Sequence, residues 1–244
     1  MNTLSSKTLG QIVNSNHRAA TVFEKYHLDF CCKGKRTLEQ ACNENDLQIE
    51  PLIEELEKLV VTTNGNGLNY NNLSLTQLAD YIVSTHHDYV KKKSPALLGY
   101  LQKVATKHGD QHPEMNKVLQ LFAAVKEEME QHMHKEEMVL FPRIKEIEQQ
   151  LTDGKEIIID CSYLLAPINI MEEEHHHAGS MLEEIRILTD NYTPPADACT
   201  TYNLSFASLH AFELDLHQHV HLENNILFPK ALKMFGETNK ISLN

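Results

Sequence analysis

Tryptophan is absent from the 244 residues, and aromatic side chains make up only 7% of the chain. Basic residues are also short. Twenty-two Lys and Arg stand against 34 Asp and Glu, a net charge of −12. Neutralising phosphates needs a basic surface, so this balance excludes a nucleic-acid partner. No apolar run approaches the ~20 residues a membrane helix needs, which argues against a membrane protein. The opening segment, Met1 to Lys7, lacks the apolar core of a secretory signal. Cysteine is sparse too: five residues, an odd number, do not make a disulfide framework in a chain this long. A cytoplasmic protein is the expectation.

What is present is a 41% apolar, 23% charged composition, that of a soluble globular chain able to bury a core. The length suits one bundle with a small appendage. Histidine stands out, with fifteen copies, thirteen of them from His86 to His221. Dispersed histidines in such number point to metal ligation rather than to a terminal tag.

The expected fold is all-α. Residues 1–61 read as a small domain of short helices, with Thr37 and Gln40 at capping-box spacing and Pro51 near the start of the clearest helix. Residues 62–72, rich in Asn and Gly, read as a flexible linker. Residues 73–235 form four long helical patterns, expected to be an up-down-up-down four-helix bundle, with 236–244 a tail. The first pattern starts at the Ser74/Gln77 capping box and is interrupted or kinked at Pro95. The others run from about Pro113 to Gln149, Pro167 to Asp190 and Pro195 to Phe235, with Ile157–Ile159 in a loop.

Self-comparison gives the sharpest signal. His132-x-His134-x-Glu136-x-x-x-Leu140-Phe141-Pro142 recurs as His219-x-His221-x-Glu223-x-x-x-Leu227-Phe228-Pro229, offset by 87 throughout. A duplicated two-helix unit places equivalent groups on the second and fourth helices. His132 and Glu136, like His219 and Glu223, are i and i+4 and share a helix face. On the fourth helix Leu209, Phe212, Leu216, His219, Glu223 and Ile226 step by 3 and 4, which puts the pair inside the core stripe. The second helix repeats this with Val118, Leu121, Val125, His132, Glu136 and Val139. On the third, Ile168, Met171, His175, Ala178, Leu182 and Ile185 select His175 from its His-His-His run. His134, His176, His177, His217 and His221 fall to exposed or supporting positions.

A single core histidine needs no metal. Three helices each directing one inward, two beside an inward carboxylate, do, because a buried carboxylate without a partner costs several kcal/mol. For the first helix two arguments disagree. Amphipathicity centres on His86, whereas repeat spacing selects His87, which precedes His132 by 45 as His175 precedes His219 by 44. A bend at Pro95 weakens the first argument more, which favours His87.

Four His and two Glu exceed the set for one tetrahedral zinc. With both carboxylates bridging, each of two metals receives two imidazole nitrogens and two carboxylate oxygens. An oxo or hydroxo bridge would complete the charge balance. Mixed imidazole and carboxylate donors suit iron, and manganese or a mixed pair fits the same donors.

These blocks resemble the haemerythrin-like di-iron bundle. The N-terminal Tyr26-x-x-Asp29-Phe30-Cys31-Cys32-x-Gly34, followed by Thr37-Leu38, resembles the small domain of the iron–sulfur cluster repair di-iron proteins. Met171-Glu172-x-Glu174-His175 and Leu222-Glu223-Asn224-Asn225 match that family as well. The resemblance implies two iron ions in an oxo- or hydroxo-bridged centre. His87, His132, His175 and His219 would be terminal ligands, Glu136 and Glu223 bridges, and Glu174 a support behind them. It favours His87 because the family's ligand stands eight residues before the helix proline. The implied function is repair of iron–sulfur clusters damaged by nitrosative or oxidative stress. Nitric oxide reduction at the di-iron centre and O2 or NO sensing are the alternatives. The implied partners are damaged iron–sulfur proteins and the gases NO and O2, with a homodimer left open.

Cys31 and Cys32 are adjacent, unlike the Cys-x-x-Cys of zinc ribbons. Lys33, Lys35 and Arg36 are expected to lower their thiol pKa, and the resemblance gives them a role in redox chemistry or in receiving metal. Cys42, Cys161 and Cys199 read as structural. As a coil, the linker would reach on the order of 20 Å, letting the thiols visit the bundle.

Overall fold

Thr8, Thr37 and Ser74 each stand three residues before a glutamine, and each closes a reciprocal capping box that starts a helix. The computed structural model describes residues 4–61, 69–155 and 162–241. Four short helices, α1 (Leu9–Ser15), α2 (Ala19–Lys25), α3 (Leu38–Glu44) and α4 (Ile49–Val61), make the small N-terminal region. Then come α5 (Leu75–Ile82), α6 (Asp88–His108), α7 (Glu114–Lys135), α8 (Phe141–Thr152), α9 (Ser162–Leu188), α10 (Thr200–Leu222) and α11 (Phe228–Ile241). Three π turns, Val83–His87, Glu136–Leu140 and Glu223–Leu227, fuse α5 to α6, α7 to α8 and α10 to α11. The result is four rods, with α6 against α7 and α10, α7 against α9, and α5 against α8. The fold is all-α: among the described residues the only β-type pairing is an isolated bridge between Thr8 and Thr37. No helix among them is long and apolar enough to cross a membrane.

Several expected boundaries shift. Helix α6 continues through Pro95, and α9 begins before Pro167 rather than at it. Pro167 has no N–H for the carbonyl of Tyr163, and Arg143 Nη1 donates to that oxygen instead, at 2.8 Å. Helix α10 starts at Thr200, after an extended Cys199, rather than near Pro195. Helix α11 runs on to Ile241, past the expected end at Phe235. The Ile157–Ile159 loop, Cys161, residues 62–68 of the linker and residues 242–244 of the tail lie outside the described residues.

The apolar core falls into two clusters. One joins α6, α7, α10 and the later part of α9 to the small region, through residues such as Phe122, Leu182, Phe212, Phe23 and Leu38. The other joins α5, α8, α11 and the start of α9, through Leu78, Ile144, Ile168 and Phe228. Between them the π turns carry a polar layer.

The small region is docked on the bundle, not held off it. Asn225 donates to the carbonyls of Phe30 (3.2 Å) and Cys31 (3.0 Å), and its own carbonyl accepts from Asn14 (2.9 Å). Lys35 pairs with Glu172 at 3.0 Å and His217 with Glu24 at 2.7 Å. The described part of the linker is a turn, Tyr70–Asn72, pinned by Asn71 Nδ2 donating to Asn14 O and by Lys230 donating to Leu73 O. The thiols already stand against the bundle, and the reach of a coil is not needed to bring them there.

Candidate metal centre

Six side chains from the four rods meet in the polar layer: His87, His132, Glu136, His175, His219 and Glu223, each 0–1% exposed. They form two groups that share both glutamates, one with His87 and His219, the other with His132 and His175. In the first, His87 Nε2 lies 3.2 Å from His219 Nε2 and 3.3 Å from Glu136 Oε2, and His219 Nε2 lies 2.9 Å from Glu223 Oε1. In the second, His132 Nε2 lies 2.9 Å from His175 Nε2 and 3.3 Å from Glu136 Oε2, and His175 Nε2 lies 3.1 Å from Glu223 Oε2. Both oxygens of Glu136 and Oε2 of Glu223 are buried without a hydrogen bond of good geometry. Ionised oxygens in that state need a cation. Facing imidazole pairs joined by two carboxylates fit two metal ions better than one.

The π turns explain how the residues arrive. Along the first rod the inward stripe runs through Leu75, Leu78 and Ile82, then a step of five to His87 with buried His86 beside it, then Val90, Ser94, Leu97, Leu101 and Val104. The π turn takes up one additional residue there, so a stripe extrapolated at helical spacing lands on His86. It is this turn, not a bend at Pro95, that separates amphipathicity from repeat spacing. The same step of five leads from Glu136 to Phe141 and from Glu223 to Phe228. Val139, expected in the stripe, is 40% exposed, whereas Ile226, its equivalent in the repeat, is buried as expected.

The outer nitrogens are held almost as regularly. His87 Nδ1 lies 2.8 Å from Glu137 Oε1, His175 Nδ1 3.0 Å from Asn224 Oδ1, and His132 Nδ1 2.9 Å from Glu174 Oε2. These contacts fix each ring so that Nε2 faces the centre. Glu137 and Asn224 occupy equivalent places in the 87-residue repeat, a signal the motif comparison missed because the residue types differ. Glu174 precedes His175 as His86 precedes His87. His86, however, stacks on His219 at 5.7 Å between centroids and bonds Asp215 at 3.0 Å, leaving His219 Nδ1 without a partner. His87→Ala should therefore lower metal content towards one ion per chain, and His86→Ala should leave it unchanged. Metal analysis reads both, and the reverse outcome would reassign the first rod.

Electrostatics follow from the same contacts. Burial, the largest single influence, pulls His87 down, but the hydrogen bonds and charges of Glu136 and Glu223 together raise it to about 9. His132 rises to about 10 against the same burial, through Glu136, Glu174 and Glu223. Hydrogen bonds from His132 and Lys135 lower Glu174 to about 2. Burial lowers His219. Without metal, protons on His87 and His132 offset the glutamate charges. They stabilise the fold below the ordinary imidazole range, and that contribution is lost as pH rises through about 9 and 10. A metal needs neutral imidazole, so its affinity should increase with pH over this range, and loading at neutral pH should release about two protons. Calorimetry in buffers of different ionisation enthalpy measures that release.

His134, His176 and His177 are exposed, as expected. His221 is not: it is 1% exposed, lies edge-on to Phe30 at 5.5 Å, and is lowered to about 4 by burial. It belongs to the seam between the small region and the bundle.

The two thiols sit on that seam. The Cys31 carbonyl accepts from Asn224 at 3.4 Å, and Asn224 holds His175, so one side chain separates the cysteine loop from the centre. Local positive charge does not activate Cys31. Lys35 pairs with Glu172 and Arg36 with Glu44, while Cys32, burial and Asp29 push the Cys31 thiol well up. Cys42 is buried and Cys199 exposed.

Comparison with known proteins matches this architecture. Residues 5–60 match the ScdA_N domain of unknown function (DUF542), and residues 78–231 match the hemerythrin HHE cation binding domain. The chain is 37% identical over 224 residues to the iron–sulfur cluster repair protein YtfE of Enterobacter sp. (strain 638), covering 92% of this chain and 96% of that protein. It is 35% identical over 228 residues to YtfE of Yersinia pseudotuberculosis serotype O:1b (strain IP 31758), covering 93% and 97%. A DUF542 region ahead of a hemerythrin domain, matched across nearly the full length of both chains, makes this protein a member of the YtfE iron–sulfur cluster repair family.

Proposed function

We propose that this protein holds two iron ions between His87, His132, Glu136, His175, His219 and Glu223, and serves the repair of iron–sulfur clusters damaged by nitrosative or oxidative stress. The observation that carries the reading is the pair of buried His2Glu2 groups sharing both glutamates. The relatives' names, printed as iron–sulfur cluster repair proteins, supply the function class. When bound, such a pair supplies one-electron chemistry and open positions for a small gas.

The chain's own residues set the terms. The glutamates neutralise the ions, and the outer contacts of Glu137, Glu174 and Asn224 hold three of the four rings. The apolar clusters above and below keep water from the carboxylates. Nitric oxide reduction or gas sensing would need no thiols beside the centre. The docked Cys31–Cys32 loop favours a repair role, with iron passed to a damaged client in the cytoplasm.

Anaerobic incubation with a nitric oxide-damaged dehydratase tests this. The full chain should restore client activity, and a variant carrying both Cys31→Ser and Cys32→Ser should keep its two irons yet repair slowly. Consumption of NO with no recovery of the client would overturn the repair reading in favour of a reductase.

A further inference from the structure

Among the described residues outside the bundle centre, one other group of side chains has metal-binding geometry: Asp29, Cys31 and Cys32. Asp29 stands in the Tyr26-to-Gly34 motif, with no role of its own assigned from sequence. Its Oδ1 accepts from the backbone N–H of Cys32 at 2.9 Å and of Lys33 at 3.3 Å, which folds the loop so that adjacent cysteines turn the same way. Cys31 Sγ then lies 3.3 Å from Asp29 Oδ1 and 3.8 Å from Cys32 Sγ. The sulfurs are too far apart for a disulfide, whose bond is about 2.05 Å. They are well spaced for a chelate, since two thiolates ~2.3 Å from one tetrahedral ion stand about 3.8 Å apart.

Access fits as well. Two clefts meet at the sulfurs, one of about 280 Å³, and both are lined by Cys31, Cys32 and His176. Facing Cys32 on α9 is Gly179, where an added Cβ would come to 3.8 Å from Sγ, so no side chain covers the thiol from that side. Cys31 is buried and Cys32 half-buried, which gives one anchored and one approachable sulfur.

We infer that Asp29, Cys31 and Cys32 form a second, mononuclear site for a thiophilic divalent cation, three-coordinate from the protein and open to the cleft. Binding replaces two S–H protons, which pass to solvent, with two metal–sulfur bonds, and no electron is transferred. Two thiolates and one carboxylate balance the ion with one negative charge left over. The open position makes the ion exchangeable, unlike the enclosed pair in the bundle. The site does not depend on the repair reading, because it concerns binding alone.

Cadmium is the probe. The full chain, reduced and with its bundle centre loaded, is titrated anaerobically with Cd2+ while thiolate-to-cadmium charge-transfer absorption is followed. No cysteine lies among the six bundle residues, so this absorption does not come from the bundle centre, and its loss when Cys31 and Cys32 are replaced assigns it to the loop. One equivalent should saturate the band and protect Cys32 from alkylation, while exposed Cys199 reacts throughout. Asp29→Asn keeps an oxygen to cap the loop and should weaken Cd2+ binding by about tenfold or more. Joint replacement of Cys31 and Cys32 by serine should remove the band and leave bundle metal content unchanged. Absence of the band in the unaltered chain, or equal alkylation of Cys32 with and without Cd2+, would overturn the site. An unchanged affinity in Asp29→Asn would overturn the carboxylate's part. None of these readouts involves a client cluster, so failure here and failure of repair are separable.

Discussion

Glu223→Ala is expected to empty both halves of the centre, not one. Its Oε1 stands 2.9 Å from His219 and its Oε2 3.1 Å from His175, so one carboxylate serves both imidazole pairs. Glu136 does the same from a single oxygen, 3.3 Å from both His87 and His132, and Glu136→Ala should behave alike. Removing one partner of a buried charge pair costs about 3–5 kcal/mol, or roughly two to four orders of magnitude in metal affinity. Iron per chain should fall from two to below one, and the absorption of a bridged pair should vanish. Exposed His134 provides the control, because His134→Ala should retain both ions. A Glu223→Ala preparation with two irons and an unchanged spectrum would refute the bridging assignment.

The second large effect is expected at Gly34. An added Cβ would lie 2.3 Å from the Phe30 carbonyl and 2.5 Å from Asn225 Oδ1, and neither can retreat without breaking the docking contacts. Gly10 faces the same Asn225 oxygen at 2.5 Å, so the asparagine is clamped between two glycine backbones. Overpacking of this kind costs about 1–3 kcal/mol, and a backbone obstacle places Gly34→Ala at the upper end. For a chain of this length that is roughly 6–12 °C in melting temperature. Cys31, 5% exposed, should become open to alkylation as the loop lifts from Asn224 and Asn225, while bundle metal content holds. An unchanged melting temperature with Cys31 still protected would show that the small region does not depend on this clamp.

Much of the centre was legible because helical spacing and the 87-residue repeat are local signals. His132, Glu136, His175, His219 and Glu223 each lie on an apolar stripe that can be read from residue types alone. The repeat pointed to His87 where amphipathicity pointed to His86, since sequence offsets count a π-turn residue that an ideal helix does not. The supports were harder to find. Glu137 and Asn224 share a place in the repeat but not a residue type, and Asp29 stands in the Cys-Cys motif with nothing local to give it a role.

By itself, then, the sequence determined the helices, their capped starts, the duplicated His-x-His-x-Glu units and the charge they bring. These depend on a residue and its neighbours within a turn or two. Tertiary structure decided three things: which ring nitrogens face each other, that the small region is clamped to the turn carrying Glu223, and that Lys35 is paired with Glu172 on α9. Each is a contact between residues distant in the chain, set by how the rods pack. The physical reason is one of range. Helix periodicity records which face is buried, whereas the partner met on that face depends on the register between helices, which the π turns shift by one residue each.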